Sequence, residues 1–177
     1  MQNRTPDTGW AEAADGTPLS TELASAVTGA RRRAARDGDR QIDTAHLLHT
    51  LLEADPGARQ PFPGGPAQVA RLLGYLVQRT IGYGLRWTGT VEDSGALPVL
   101  AAETVPGWSP AAARAMREAC ARARARGAER VDGTDLLAAL LCDPRCRAVD
   151  VLLRAGVDTA LLAAHLDGPD RSVCPGR

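Results

Sequence analysis

The chain has 177 residues, enough for one well-developed core or for two small units packed together. Only 3% of the residues are aromatic while Ala and Leu are abundant, and this composition favours helices over sheets. All 21 basic residues are Arg and they balance 21 acidic residues, which argues mildly against a nucleic-acid-binding protein. The lack of Lys excludes a Walker A nucleotide-binding loop and Schiff-base catalysis.

The sequence predicts a cytoplasmic protein. It has no apolar run of about 18 residues that would span a membrane. Residues 1–18 are polar and lack the charged and apolar regions of a signal peptide, so they are predicted to form a disordered tail. Four Cys in an Ala-rich chain of this length do not indicate a disulfide scaffold, and we expect reduced thiols.

The first unit is predicted over residues 19–82. Its first helix begins at Ser20, a good N-cap, and ends near Gly38. A second helix begins at Asp43 or Thr44, either of which can cap it, and ends before Pro56. After a Pro/Gly-rich loop over residues 59–66, a third amphipathic helix runs up to Gly82. The apolar positions of the three helices are Leu23, Val27, Ala30 and Ala34; Leu47, Leu48, Leu51 and Leu52; and Val69, Leu72, Leu73, Leu76 and Val77.

Residues 83–106 have a different character from the flanking helices. Two short apolar runs surround Glu92-Asp93-Ser94-Gly95, whose turn chemistry permits a β-hairpin. A hairpin of two strands is only marginally stable alone, so a flexible linker is an equally good interpretation.

The second unit, over residues 107–167, repeats the first. Residues 19–52 align without a gap to residues 108–141, and 12 of these 34 positions are identical. Ser109 followed by Pro110 is a strong helix start, and Asp132 can cap the next helix. Two further short helices are predicted before a polar tail at residues 168–177. The sequence therefore predicts an all-α protein of two tandem repeats and about eight helices, which bury their apolar stripes against each other by pseudo-two-fold symmetry.

The repeat resembles the N-terminal repeat domain of Clp AAA+ chaperones of the ClpC and ClpA type. The resemblance covers roughly residues 19–52 and 108–166 and rests on a capped first helix, a glycine turn, a Leu-rich motif and a terminal Gly-Val element. The positions that carry it are Ser20, Gly38, Ile42, Thr44, His46, Leu47, Leu48, Leu51 and Leu52 in the first copy, and Leu152, Leu153, Gly156 and Val157 in the second. It implies an all-α pseudo-dimer of eight helices that docks adaptors and substrates. Since these 177 residues contain no ATPase module, it also implies a stand-alone binding module.

The resemblance also implies where ligands bind. Members that recognise phosphoarginine carry a hydroxyl at each first-helix cap, here Ser20 and Ser109, and a Glu just before the motif His, here Ala45 and Thr134. A hydroxyl and helix N-terminal N–H groups suit a phosphate and a carboxylate suits a guanidinium, so the guanidinium partner is missing here. The aspartates at 43, 132 and 135 could substitute, but they are better explained as helix caps.

Trp108 and its counterpart Leu19 precede the two caps, where ClpC-type domains contact cyclic peptides and hydrophobic substrates. Trp is a common interface anchor, although packing onto its own helix explains Trp108 equally well. The resemblance thus implies a ligand-binding set of Leu19, Ser20, Ala45, Trp108, Ser109 and Thr134.

No catalytic, cofactor or metal site is predicted. The chain has no G-x-S-x-G, H-E-x-x-H or G-x-G-x-x-G motif. His46 is most simply structural. Cys142 and Cys146 form only one loose pair with Asp143 and His165, whereas zinc sites show paired spacings.

The sequence therefore favours a non-catalytic module that recruits substrates or adaptors to a Clp protease, or that sequesters cyclic peptide antibiotics targeting it. Its expected partners are Clp chaperone or protease components, adaptors and substrate proteins. An Arg-rich helical nucleic-acid-binding protein, using residues 31–33 and 122–126, is the alternative. A structural oligomerisation domain is a third interpretation.

Overall fold

The computed structural model of the chain describes residues 16–80, 92 and 107–168. These residues form eight α-helices and no strand, which confirms the all-α prediction of about eight helices. The helices are α1 (Thr21–Asp37), α2 (Thr44–Ala54), α3 (Pro56–Arg59), α4 (Gly65–Thr80), α5 (Pro110–Ala125), α6 (Gly133–Leu141), α7 (Arg147–Arg154) and α8 (Thr159–Asp167). The hairpin or linker expected over 83–106 lies outside the described residues except for Glu92. The same holds for most of the two predicted tails.

The helix boundaries follow the local capping chemistry of the sequence. The Ser20 hydroxyl accepts a hydrogen bond from the Leu23 N–H at 3.2 Å, and the Ser109 hydroxyl accepts one from the Ala112 N–H at 3.1 Å. At the other end of α1, Gly38 has a φ of 75°, a left-handed conformation that Gly adopts without strain. Gly127, its counterpart after α5, has a φ of 66°. Both copies therefore begin and end their first helix by the same means.

The core lies around α2 and α6, the second helix of each repeat. Their paired leucines lose almost all contact with solvent because several neighbouring helices pack against these two helices. The leucines that are at most 1% exposed on α2 and α6 are Leu47, Leu48, Leu51, Leu52, Leu136, Leu137 and Leu140. Burial of a Leu side chain contributes roughly 1.5–3 kcal/mol, so these two stripes dominate the packing energy.

The two repeats are joined by two equivalent backbone pairings. Ile42, before α2, forms a parallel bridge with Trp108, before α5, and Leu19, before α1, forms one with Val131, before α6. In the first pairing the Ser109 N–H donates to the Ile42 carbonyl at 2.8 Å. In the second the Ser20 N–H donates to the Val131 carbonyl at 2.9 Å. Each repeat therefore contributes the start of its first helix to the other repeat, as pseudo-two-fold symmetry requires.

The Pro/Gly-rich segment after α2 is more ordered than the predicted loop over residues 59–66. The short helix α3 precedes it, with the Asp55 carboxylate accepting hydrogen bonds from Gly57 N–H at 2.7 Å and Ala58 N–H at 3.3 Å. Helix α4 already begins at Gly65. A helix of four residues is too short to show an apolar period, so its cap is its only sequence signal. On α4, Val77 remains 45% exposed although it belongs to the predicted stripe.

Candidate functional site: two junctions at helix N-termini

Each backbone pairing brings several helix starts together. We call the pairing of Ile42 with Trp108 and the adjoining starts of α2, α5 and α7 the first junction. The pairing of Leu19 with Val131 and the adjoining starts of α1, α3 and α6 form the second junction. Helix N-termini expose unpaired N–H groups and the positive end of the helix dipole, so both junctions suit negatively charged groups.

The first junction holds the carboxylate of Glu92. One oxygen, Oε2, accepts hydrogen bonds from the Thr44 N–H and the Ser109 hydroxyl, both at 2.9 Å. The other, Oε1, accepts from the Arg147 N–H at 2.7 Å and from the Thr44 hydroxyl, which is very close. These four donors come from the start of α2, the cap of α5 and the start of α7. Glu92 is only 6% exposed, so its charge is stabilised by these hydrogen bonds rather than by water.

A buried ion pair adjoins this carboxylate. The Arg147 guanidinium lies 2.7 Å from Asp43 Oδ2, and the two side chains are 11% and 2% exposed. Asp43 also caps α2, because its Oδ1 accepts from the His46 N–H at 2.7 Å. Backbone and side chain of Arg147 therefore bind two different carboxylates, which fixes the start of α7 against the start of α2.

His46 has a structural role in the same helix start. Its Nδ1 accepts a hydrogen bond from the Asp43 N–H at 3.2 Å, which completes a capping box on α2. Its Nε2 lies 3.2 Å from Asp39 and 3.7 Å from Asp37, at the end of α1. The ring thus links the two helices of the first repeat.

The second junction has the same backbone but different side chains. Gly133 stands where the first junction has Thr44, and a Cβ atom added to it would lie 2.0 Å from Asp55 Oδ2. The Asp55 carboxylate therefore packs directly against the start of α6. Asp135 replaces His46, accepts from the Asp132 N–H at 3.0 Å, and binds the Arg126 guanidinium through both of its oxygens.

The two junctions also differ in exposure. Thr44, Ala45 and Ser109 of the first junction are 1%, 0% and 1% exposed. In the second junction Ser20 and Thr134 are half-buried and the Asp132 side chain is 52% exposed. The second junction therefore presents polar groups to solvent, whereas the first is covered.

No family model matches the sequence, and no curated protein is significantly similar to it. Among solved structures, the N-terminal domain of the caseinolytic protease associated chaperone ClpD from Arabidopsis thaliana matches with a TM-score of 0.56 and 18% sequence identity. The match covers 84% of this chain and 94% of that one. The chain has the fold of a Clp N-terminal domain. At this identity the likeness concerns the fold alone, and it confirms the architecture that the repeat predicted.

The residues predicted to bind ligands fall on the two junctions of the Clp N-domain fold. Trp108 and Leu19 form the two backbone bridges and are 6% and 9% exposed, so both side chains lie largely in the core. The Trp108 indole Nε1 is buried there without a hydrogen-bond partner. Ser109 and Ala45 belong to the covered junction, and Ser20 and Thr134 to the open one. Their roles in binding remain predictions.

Sequence reasoning missed three residues that shape the junctions. The sequence around Glu92 indicates a turn, and nothing near it in the sequence indicates contact with Thr44, 48 residues earlier. The pair of Arg147 with Asp43 spans 104 residues. The sequence indicates that α2 ends at Asp55, before Pro56, but not that the Asp55 side chain lies at the second junction. A cap followed by Pro at its N1 position was the available signal for Asp55, whereas the other two contacts have no local signature.

Cys146 lies beside the first junction as the N-cap of α7. Burial is the main cause that raises the pKa of its thiol to about 11; the nearby charges of Glu92 and Asp143 also raise it, and hydrogen bonds partly offset the rise. The thiol lies 3.4 Å from the Leu140 carbonyl and donates to it. Cys146 is therefore protonated and inert near neutral pH. Among the described residues, no group of three or more His, Cys, Asp and Glu is arranged to hold a metal ion.

The Arg residues assigned to nucleic-acid binding are partly engaged in ion pairs. Arg33 lies 2.8 Å from Glu53, Arg122 lies 2.7 Å from Asp167, and Arg126 binds Asp135. Each of these pairs neutralises a cation that phosphate contacts would require. In the described part of the chain, no helix is both long and apolar enough to cross a membrane.

Proposed function

We propose that the chain is a non-catalytic module that binds proteins or peptides of a Clp chaperone–protease system. The observation that carries this proposal is the reciprocal pairing of the two repeats, which builds the Clp N-domain fold with two like junctions. In this role the module recruits substrates or adaptors to the protease, or sequesters cyclic peptides that target it.

The second junction is the better docking surface for such a partner. Its polar groups at Ser20, Asp132 and Thr134 are accessible, and they surround the positive ends of α1 and α6. The Asp132 carboxylate lies 3.7 Å from the Arg126 guanidinium, so the surface offers both charges to a polar partner. Trp108 is buried in the first junction, where it packs between the two repeats rather than facing a partner.

Phosphoarginine recognition receives little support from the acids that could replace the missing Glu. Asp43 forms an ion pair with Arg147 and caps α2, and Asp135 forms an ion pair with Arg126. Asp132 alone among these three is exposed, and it faces Arg126. We therefore propose unmodified protein segments or cyclic peptides as ligands rather than phosphoarginine proteins.

The test compares one blocking variant with a matched control. Thr134→Arg places a long cation on the second junction, and Thr28→Arg makes the same change at an exposed threonine of α1. We expect the wild-type chain to retain Clp components in a pull-down or to bind a Clp-targeting cyclic peptide by calorimetry. Thr134→Arg should weaken that binding at least about tenfold, the effect of losing a central interface contact, while Thr28→Arg leaves it unchanged.

Two results would contradict the proposal in different ways. If the wild-type chain binds neither Clp components nor the cyclic peptide, the proposed function is wrong. If binding occurs but both Arg variants weaken it equally, the function stands and the second junction is not the docking surface. Titration with an arginine-phosphorylated test protein, included in the same series, should give no binding.

A further inference from the structure

We propose that the exposed face of α5 is a docking surface for an acidic segment of a partner protein. The surface is a row of three exposed arginines, Arg114, Arg117 and Arg124, which we call the arginine row. The proposal deepens the proposed function by naming the chemistry of the partner segment. It rests on that function only for the statement that the partner belongs to a Clp system.

The three arginines lie on one face of α5. The helix packs mainly against α6 and α2, and its opposite face is turned to solvent. At 3.6 residues per turn, the three side chains leave the helix within an arc of about 80°, and the rise per residue spreads them over about 15 Å of its axis. Ala121, which is also exposed, lies between them and covers none of them. The row therefore forms one continuous basic surface.

The fold does not require these cations, because the first repeat lacks them. In the alignment of residues 19–52 with 108–141, the equivalent positions on α1 are Ser25, Thr28 and Ala35, which are exposed and uncharged. Every buried position of α1 is also buried at the aligned position of α5. The two helices thus share their packing face and differ in the charge that they present to solvent.

The row does not stabilise α5 by itself. Arg114 and Arg117 are like charges three residues apart, which repel each other weakly on a helix surface. The first turn of α5 has no acid to complement the helix dipole, whereas α1 has Glu22 there. Among the residues that the structure describes, no ion pair involves Arg114 or Arg117. On the same helix, Arg122 lies 2.7 Å from Asp167 and so has a structural partner. Residues that break local rules in this way are typical of functional sites.

An acidic protein segment suits the row better than a nucleic acid does. Glu118 is half-buried one turn after Arg114, and Asp132, at the start of α6, has a side chain that is 52% exposed. The evenly charged backbone of a nucleic acid would bring phosphates close to these carboxylates. A peptide carries its acids at selected positions and can place them opposite the arginines alone. The formal net charge of zero also gives the chain no general attraction for polyanions.

The row is continuous with the second junction. Arg126, directly after α5, binds Asp135 and lies 3.7 Å from Asp132, and both acids belong to the start of α6. A partner that docks on the second junction can therefore extend along α5 from Arg124 to Arg114. A row of about 15 Å matches about five residues of an extended chain or about three turns of a helix.

The experiment measures binding of labelled peptides to the full chain by fluorescence anisotropy at low ionic strength. One peptide is rich in Glu, and its control has Gln at each Glu. The wild type should bind the Glu peptide and not the Gln peptide, and added salt should weaken the binding because the contacts are solvent-exposed charge pairs. Arg114→Ala, Arg117→Ala and Arg124→Ala together should weaken it at least about tenfold. Ala has the highest helix propensity and the three sites are exposed, so this variant should fold.

The control variant removes the same amount of charge elsewhere. Arg32→Ala and Arg36→Ala on α1 and Arg71→Ala on α4 are also changes of exposed arginines, and together they should weaken binding by less than about twofold. Direct contact is tested by reversing the row. A chain with Glu at all three positions of the row should bind a Lys version of the peptide more tightly than a chain with Glu at the three control positions does.

Duplex DNA is the competing probe in the same assay. The proposal is overturned if DNA binds more tightly than the Glu peptide, if the Gln peptide binds as well as the Glu peptide, or if the row and control variants lose binding equally. Loss of peptide binding in the wild type also overturns it. These measurements contain no Clp protein or cyclic peptide, so their result is independent of the pull-down. A chain that retains Clp components but does not bind the Glu peptide keeps the proposed function and loses only the arginine row as a docking surface.

Discussion

The two junctions share one backbone and differ in how they are filled. In the first, Thr44 and Ser109 bind the carboxylate of a residue outside both repeats. In the second, Gly133 leaves room for Asp55, a cap of the adjacent helix. The backbone pairing is the same in both, with hydrogen bonds of 2.7–2.9 Å. The pseudo-symmetry therefore holds for the backbone, while a few side chains determine which junction is exposed.

The side chains that join the first two helices of each repeat are also exchanged. In the first repeat the acids Asp37 and Asp39 end α1 and face His46 in the capping box of α2. In the second, Arg126 ends α5 and faces Asp135 in the capping box of α6. The polar contact between the helices is kept in both repeats, although the acidic group lies at the end of the first helix in one repeat and at the start of the second helix in the other.

The largest predicted effect is a pH dependence of stability that arises at the N-cap residue of α7 and not at that of α3. These two helices are the third helices of their repeats. Asp55 caps α3 through its carboxylate, whereas the N-cap residue of α7 is Cys146, whose buried thiol donates a hydrogen bond to the Leu140 carbonyl. The folded pKa of Cys146 is about 11 against 9.0 for an ordinary Cys. The unfolded chain therefore loses this proton first as pH rises. The contribution of this thiol to stability should be complete below pH 9, and the free energy of unfolding should fall by about 3 kcal/mol by the time pH passes 11.

This alkaline loss is measured by urea unfolding at several pH values on either side of that window. Cys146→Ala should flatten the fall, since it removes the thiol that stays protonated in the folded state. Cys142→Ala, a change at a half-buried thiol four residues earlier, should keep the wild-type dependence. An equal alkaline fall in both variants would show that other groups cause it.

A somewhat smaller effect tests why the second junction carries Gly where the first carries Thr. In Gly133→Ala the new Cβ would lie 2.0 Å from Asp55 Oδ2 and 2.8 Å from Leu51 Cδ1. Since Asp55 is held by its bonds to α3, the junction must shift, and we expect a loss of about 2 kcal/mol in the free energy of unfolding. The control is Gly74→Ala on α4, where a Cβ meets nothing within 4 Å and should stabilise the helix by up to about 1 kcal/mol. Similar effects of both changes would mean that Asp55 yields freely.

The sequence predicts the helices and the repeat well, but it predicts poorly which side chains fill the two junctions. Caps at Ser20, Asp43 and Ser109 act within three residues along the chain, so local pattern reveals them. The paired leucines have a helical period, and the repeat implies pseudo-symmetry. The carboxylate of Glu92 reaches its donors across 17 to 55 residues, and no local preference encodes such contacts.

Burial of Trp108 is a second long-range outcome. Its place before a capped helix is visible in the sequence and is compatible with both an exposed anchor and a packed residue. The pairing with Ile42 in the other repeat, which covers the indole, depends on how the two units meet. The sequence pattern could not predict which junction is exposed, because Glu92 lies between the two repeats and has no counterpart in the repeat.

The smallest predicted effect compares the two serine caps directly. Ser20→Ala removes only the hydrogen bond from the Leu23 N–H and should cost about 1 kcal/mol of unfolding free energy, the usual contribution of an N-cap. Ser109→Ala removes the equivalent bond and also the donor to the buried Glu92 carboxylate, so it should cost about 1 kcal/mol more. In a Glu92→Gln background the extra loss should shrink, since the acceptor is then uncharged. If both serines cost the same in the wild-type chain, Glu92 covers the first junction without stabilising it, and the two junctions differ in exposure but not in strength.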